Sequence, residues 1–122
     1  MQISAEAIRL RNTADKFGLF RALEDACMDG KISIPYYSRM DCIPIDEMNL
    51  SVRSSNALLR KGATTLGNVA ELIGSGQLRC VRNLGAKSEK EIKQKFISTC
   101  YRSMTPDEQL HFWQTILNDQ TK

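Results

Sequence analysis

Apolar residues recur at helical spacing along the first thirty positions of the chain. Ser4 is typical of a helix N-cap, and the pattern after it predicts helix over residues 4–29. We expect Gly18 to divide this segment into two helices and Gly30 to end it, because glycine is common directly after a helix C-terminus. The positions predicted to face inward are Ile8, Leu10, Ala14, Phe17, Phe20, Leu23 and Cys27.

Residues 31–45 differ from this pattern, because two prolines stand among β-branched and aromatic residues. Proline and the residue before it disfavour α-helix. We therefore predict an extended connector, with a short strand at 32–37 as one form of it, rather than a helix.

Two short helices are predicted next. Ser51 is a good N-cap for a helix that runs to Lys61 and is closed by Gly62. A second helix begins at Thr65 or Gly67 and continues through Ile73. Its inward positions are Leu66, Val69, Ala70 and Leu72 or Ile73.

The first of these helices has two distinct faces. Val52 and Leu59 share one face, since they are seven residues apart. Arg53, Asn56 and Arg60 are spaced i, i+3 and i+7 on another face.

A brief helical turn at 77–81 leads to a second notable segment, 82–92, in which an apolar residue and a glycine directly precede a helix. Gly85 would allow positive φ and close approach of a ligand to the backbone. The first amides of a helix lack intrahelical partners and can bind a phosphate, with Lys87 and Ser88 as further donors. The alternative is an ordinary turn between two helices, with Arg53 as a simple surface residue.

Thr105 is predicted to cap a C-terminal helix that begins at Pro106. The apolar face of this helix consists of Leu110, Phe112 or Trp113, Ile116 and Leu117. Two arrangements of the N-terminal and C-terminal flanks remain open. They pack on the middle segment and enlarge its core, or they form an interface with a partner or a second copy of the protein.

The net charge of the 122-residue chain is +3, and its distribution is uneven. Residues 46–104 have a net charge of +5, whereas residues 1–45 are neutral and residues 105–122 have a net charge of −2. A locally basic segment attracts polyanions and releases their counterions on binding. A basic face that is merely solvated is the alternative.

Few residues are available for catalysis. His111 is the only histidine, and no nucleophile elbow, Walker loop or HExxH motif is present. The cysteines at 27, 42, 80 and 100 form no CxxC pair, so neither a zinc site nor another cofactor is expected. The sequence shows no signal peptide and no apolar run of membrane-spanning length. We therefore expect a non-enzymatic, cytoplasmic protein that does not associate with membranes.

Two motifs in this order resemble the C-terminal domain of the bacterial RNA polymerase alpha subunit. They are Leu50-Ser51-Val52-Arg53-Ser54-Ser55-Asn56-Ala57-Leu58 and Asn83-Leu84-Gly85-Ala86-Lys87-Ser88-Glu89-Lys90-Glu91-Ile92-Lys93. The resemblance covers residues 44–97 and implies an all-α, compact bundle of short helices with a helix-hairpin-helix-like element. The predicted organisation is an N-terminal helical extension and connector at 1–45, the alpha C-terminal-like domain at 46–100, and a C-terminal helix at 101–122.

The resemblance also implies binding to the minor groove of A·T-rich duplex DNA and contact with sigma factor or transcription activators. Arg53 would be inserted into the groove. Glu91 would support the surface by orienting Arg53. The implied DNA-binding residues are Arg53, Asn56, Asn83, Gly85, Lys87 and Ser88.

Three departures from the family pattern limit what carries over. Ala86 replaces a residue that is often basic, and the segment 74–76 is about one residue longer. The acidic patch that faces sigma factor corresponds to Glu47 and Asn49, of which Asn49 is not acidic. At 122 residues there is no room for the polymerase assembly domain, so we expect a stand-alone protein.

Three functions follow as hypotheses. The first is a DNA-binding protein that acts in bacterial transcription. The second is an interaction module that binds RNA polymerase, sigma factor or an activator without binding DNA. The third is a helix-hairpin-helix fragment of a repair or replication protein, which would prefer gapped or single-stranded DNA. In each case the flanking helices could form a homodimer.

Overall fold

The structure is a computed structural model that describes residues 3–25, 36–81 and 84–120. The protein divides into two compact units. The central unit is Tyr36–Arg102, and the flanking unit combines Met1–Pro35 with Ser103–Lys122. The regular secondary structure of the described residues is helical throughout, which confirms the predicted all-α class.

The flanking unit contains α1 (Ala5–Phe17), α2 (Leu19–Asp25) and α6 (Pro106–Gln120), and α1 packs against both other helices. Ser4 caps α1 as predicted, since its hydroxyl accepts a hydrogen bond from Ala7 N at 3.2 Å. The Ser4 amide also donates to Gln114 Oε1 at 2.7 Å. The N-terminal and C-terminal flanks therefore pack against each other, an arrangement that neither prediction for the flanks included.

The buried face of α1 and α2 differs from the predicted one. Leu10, Ala14 and Leu23 are buried as predicted, whereas Ile8, Phe17 and Phe20 are exposed. Ala7, Leu19 and Ala22 complete the buried face. Ile8 and Phe17 lie in α1 itself, off the stripe formed by Ala7, Leu10 and Ala14. Gly18, with a φ of 99°, divides the segment as predicted, so this stripe does not continue into α2 and Phe20 falls outside the buried face. The predicted positions Cys27 and Gly30 lie outside the described residues.

The described part of the connector alternates between extended and helical backbone: Tyr37, Ile43 and Pro44 are extended, as predicted. Ser38–Cys42 and Ile45–Met48 form two 3₁₀ helices, so the prediction of an extended segment is wrong for these residues. Neither helix contains a proline, since Pro44 lies between them with an extended backbone, and the two helices bury Met40, Ile45 and Met48. Most of the strand predicted at 32–37 lies outside the described residues, and Tyr36 and Tyr37 are not in a strand.

The central unit continues with α3 (Val52–Arg60), α4 (Leu66–Gly74), a 3₁₀ helix at Gln77–Cys80 and α5 (Ala86–Arg102). α5 packs against α3, α4 and the 3₁₀ helix at Ile45–Met48. These contacts enclose a core that includes Met40, Ile45, Met48, Ala57, Leu58, Leu66, Val69, Leu78, Ile92 and Phe96. The unit begins ten residues before the predicted domain boundary at 46, because the connector supplies Met40 to this core.

Local signals place the helix ends of the central unit correctly. Ser51 caps α3, accepting from Ser54 N at 3.3 Å, and Gly62 follows the helix with a φ of 85°. Thr65, rather than Gly67, begins α4. Its side chain and that of Asn68 form a reciprocal capping box.

Gly67 has a packing role at the start of α4. A Cβ built on this glycine would lie 2.9 Å from Asp41 Oδ1 and 3.1 Å from Asp41 Cα. Asp41 belongs to the first 3₁₀ helix and accepts a hydrogen bond from the hydroxyl of Tyr36, whose ring stacks on Phe96 at 6.0 Å between centroids. Gly67 therefore lets the beginning of the unit lie directly against α4.

Candidate functional site

The outer face of α3 is exposed and basic. Arg53, Asn56, Leu59 and Arg60 line one shallow concavity of about 500 Å³. Leu59 is 50% exposed, and Val52, one turn before Asn56, is 77% exposed. No acidic residue occurs in α3, so the helix itself provides no carboxylate to neutralise its two arginines.

The start of α5 provides a second exposed segment. Gly85 precedes the helix, and its carbonyl accepts from Glu89 N at 3.0 Å. Gly85, Ala86 and Lys87 are exposed, whereas the Ser88 side chain is buried. Of the two side-chain donors predicted at the start of α5, Lys87 is therefore accessible and Ser88 is not. Asn83, the remaining predicted residue of this hairpin, lies outside the described residues.

Gly85 does not have the backbone conformation expected from the sequence. The described glycines with positive φ are Gly18, Gly62 and Gly76, and Gly85 is not among them. A Cβ at Gly85 would meet no atom within 4 Å. Neither backbone strain nor crowding within the unit requires glycine at this position. The other predicted role of Gly85, to let a ligand approach the backbone closely, stays a prediction.

Glu91 connects α5 to the N-terminus of α3. One carboxylate oxygen, Oε2, accepts from Ser51 N at 3.1 Å, and the other, Oε1, accepts from Ser51 Oγ at 2.8 Å and from the Ser54 hydroxyl. The hydrogen bond from Ser54 is the main cause that lowers the pKa of Glu91, and those from Ser51 add to it against the opposing effect of burial. Glu91 is therefore a carboxylate that holds two helices together.

Two of the predicted residues are close in sequence to the ends of this bridge. Arg53 directly precedes Ser54, and Lys87 lies one turn before Glu91 on α5. The hydrogen bonds of Glu91 end on the serines rather than on Arg53. Glu91 thus supports the α3 backbone that carries Arg53, instead of orienting the arginine side chain directly.

A second carboxylate on α5, that of Glu89, forms ion pairs with basic side chains of its own unit. It pairs with Arg79 at 3.3 Å and with Lys93 at 3.0 Å, and these partners, Lys93 first, lower its pKa. The central unit as a whole contains eleven basic and six acidic residues, a net charge of +5. Its positive charge is therefore not cancelled by its own carboxylates.

The two residues predicted to contact a protein are also exposed. Glu47 and Asn49 follow each other closely at the end of the second 3₁₀ helix, where Asn49 has a φ of 52°. The carbonyl of Glu47 accepts a hydrogen bond from Arg102 at 3.0 Å, which ties this segment to the end of α5. Both side chains are accessible, as a protein contact requires.

His111, the single histidine, is exposed on α6. Within the part of the protein that the structure describes, no three His, Cys, Asp or Glu residues are grouped so that they could hold a metal ion. None of the described helices is long and apolar enough to cross a membrane.

The sequence prediction missed three features of this surface. Ser51 and Ser54 donate hydrogen bonds to Glu91. Because Glu91 is about forty residues away in the sequence, no local pattern predicts this contact. The spacing predicts Arg60 on the face of Arg53 and Asn56, apart from Leu59, whereas the structure places Leu59 beside all three. Arg60 is not among the predicted site residues. The concavity that it shares with Arg53 is visible only in three dimensions.

The geometry defines an all-α domain of short helices whose exposed basic surface is built from two helices joined by a carboxylate bridge. Residues 38–97 match the family model for the C-terminal domain of the bacterial RNA polymerase alpha subunit. The protein therefore contains an RNA polymerase alpha C-terminal-like domain, as the two sequence motifs indicated. Domains of this family are non-catalytic, and in RNA polymerase they bind DNA and activators.

Curated relatives agree with this assignment. The sequence is 42% identical over 76 residues to the DNA-directed RNA polymerase subunit alpha of Herpetosiphon aurantiacus, a match that covers 62% of the present protein and 21% of the relative. It is 37% identical over 93 residues to the same subunit of Clavibacter michiganensis subsp. michiganensis, covering 71% and 27%. The protein thus spans only about a fifth to a quarter of these relatives. No solved structure matches it significantly.

Proposed function

We propose that this protein is a non-enzymatic DNA-binding protein of bacterial transcription that contacts the minor groove and phosphates of A·T-rich duplex DNA. Arg53 and Asn56 on α3 form one half of the contact surface. The hairpin before α5, with Asn83, Gly85, Lys87 and Ser88 as its predicted residues, forms the other half.

The observation that supports this proposal best is the bridge from Glu91 to Ser51 and Ser54. It fixes the N-terminus of α3 against α5, and this supports the proposal that Arg53, next to Ser54, and Lys87, one turn before Glu91, act together on one ligand. An extended anion such as DNA can be bound by two such segments at once, because phosphate contacts fix the register while a groove-inserted arginine adds affinity.

The proposed mode of recognition depends on groove shape. A·T-rich tracts have a narrow minor groove with enhanced negative potential, and an arginine inserted there is attracted without reading individual bases. The exposed Arg53 has the charge and the accessibility for this role. Phosphates would be bound by Lys87 and by the backbone amides at the start of α5, where the missing side chain of Gly85 allows close approach.

A salt titration of binding to A·T-rich and G·C-rich duplexes tests the proposal. We expect the wild-type protein to prefer the A·T-rich duplex and to bind more weakly as salt increases. Arg53→Ala should reduce affinity for the A·T-rich duplex by roughly tenfold or more, because the loss of one cationic contact alone weakens binding about eightfold near 0.1 M salt and the attraction to the narrow groove is lost as well. Fluorescence anisotropy with labelled duplexes measures both effects.

Arg39→Ala is the control for this experiment. Arg39 lies in the first 3₁₀ helix, 4.7 Å from the centre of the Tyr37 ring, and not on α3. Its loss removes the same charge from the central unit and should change affinity much less. Equal and small losses for the two variants would contradict the proposal.

A second function, docking of RNA polymerase, sigma factor or an activator without DNA, is supported by a specific observation. Val52 and Leu59 share one face of α3 and are both largely exposed. Exposed apolar residues are typical of protein contacts when they are grouped. This alternative predicts no duplex binding even at low salt, together with retention of purified RNA polymerase by the immobilised protein.

A further inference from the structure

Arg60 shares the concavity of Arg53 on the outer face of α3, together with Asn56 and Leu59. It is exposed, and it lies seven residues after Arg53, so the two arginines stand almost in line along the helix, about 10 Å apart. No acidic residue of α3 separates or neutralises them.

We infer that Arg60 is a further phosphate-binding residue, which extends the DNA contact along α3. This inference rests on the proposed function. With Arg53 in the groove, an arginine about 10 Å away along α3 can reach a phosphate beside that groove, since phosphates of one strand are spaced about 3.4 Å along the duplex axis. The guanidinium fork suits phosphate oxygens.

The position of Arg60 also has a simpler explanation, and the experiment must distinguish it from phosphate binding. A cation in the last turn of a helix interacts favourably with the helix dipole. Lys61 directly follows Arg60 and has the same relation to the end of α3, but it lines a different concavity, with Asn68, Glu71 and Gln77 among its neighbours. Lys61 is therefore a matched control, since its loss removes an equal charge at the same helix end.

The experiment compares Arg60→Gln, Arg60→Lys and Lys61→Gln in salt titrations with the A·T-rich and G·C-rich duplexes. One lost phosphate contact reduces the slope of log affinity against log salt by about 0.9, which corresponds to about eightfold weaker binding near 0.1 M salt. We expect this change for Arg60→Gln on both duplexes alike, because a phosphate contact carries no sequence information. Arg60→Lys should retain most of the wild-type slope.

The outcomes separate this inference from the proposed function. A wild-type slope for Arg60→Gln, or an equal reduction for Lys61→Gln, would overturn the role of Arg60 while leaving Arg53 unaffected. Failure of the wild-type protein to bind either duplex would instead overturn the proposed function and this extension together. Circular dichroism of each variant verifies that the helices are retained.

Discussion

At the scale of single residues, Glu91 links the two helices of the proposed site. Its carboxylate accepts hydrogen bonds from the backbone and side chain of Ser51 and from the side chain of Ser54. It also satisfies an amide at the beginning of α3, one of the groups that a helix cannot satisfy itself. The position of Arg53 therefore depends on a residue nearly forty positions later in the sequence.

We expect Glu91→Gln to lower the free energy of unfolding by about 1.5–2 kcal/mol at pH 7, the low part of the range for hydrogen bonds to a charged group, because the bridge is partly exposed. The pKa of Glu91 is lowered from its usual value of 4.5, so its stabilisation is complete above that value. The stabilisation is lost as the pH falls through the lowered pKa. The difference between wild type and variant should therefore shrink in acid.

Urea unfolding followed by circular dichroism at pH 7 and at successively lower pH values measures this difference. Glu71→Gln provides the comparison, since Glu71 is an exposed carboxylate on α4. A Glu91→Gln variant whose deficit is the same at all these pH values would show that the carboxylate charge contributes nothing to the bridge.

At the scale of elements, the close contact between α4 and the first 3₁₀ helix defines the beginning of the central unit. We expect Gly67→Ala to destabilise the protein by about 1–3 kcal/mol, because the new methyl group would overlap the backbone and side chain of Asp41. Gly74→Ala, at the other end of α4, adds a methyl group with no atom within 4 Å. It should leave stability unchanged or raise it by up to about 1 kcal/mol.

Thermal unfolding followed by circular dichroism at 222 nm compares the two variants. The pair shares one helix and one chemical change, so intrinsic helix propensity does not explain a difference between them. Similar melting temperatures would mean that Asp41 moves aside at little cost, and that Gly67 is not needed for the contact.

The elements also show which parts of the fold could be predicted from the sequence. Ser51, Thr65 and Gly62 marked helix ends correctly, because a cap is a hydrogen bond or a backbone conformation determined within a few residues. The buried face of α1 could not be followed past Gly18, since the rotation between two helices depends on tertiary packing. The Glu91 bridge also depends on tertiary packing and could not be predicted from local sequence. The family resemblance implied a supporting role for Glu91 but not its serine partners.

At the scale of the whole molecule, charge is divided between the two units. The central unit has a net charge of +5, whereas the residues of the flanking unit have a net charge of −2. A net charge of +3 for the whole protein therefore understates the field around the proposed DNA surface. Because exposed charges are screened by salt, the attraction of DNA to the central unit should weaken steeply as ionic strength increases.

Each unit has its own buried core, the property that allows a domain to unfold as a unit. The single tryptophan, Trp113, is completely buried on α6 and in edge contact with Phe112, so its fluorescence reports on the flanking unit. The clash of Gly67→Ala lies in the central unit. We therefore expect this variant to lower the urea midpoint measured by circular dichroism while leaving the fluorescence midpoint unchanged.

Two further observations make this last prediction decisive. Wild-type unfolding supplies the reference midpoint for each probe, and Gly74→Ala should move neither midpoint downward. If Gly67→Ala lowers both midpoints equally, the two units unfold as one cooperative body. Helices α1, α2 and α6 would then stabilise the central unit directly. If only the circular dichroism midpoint falls, the flanking helices form an independent module whose binding partners can be sought separately from DNA.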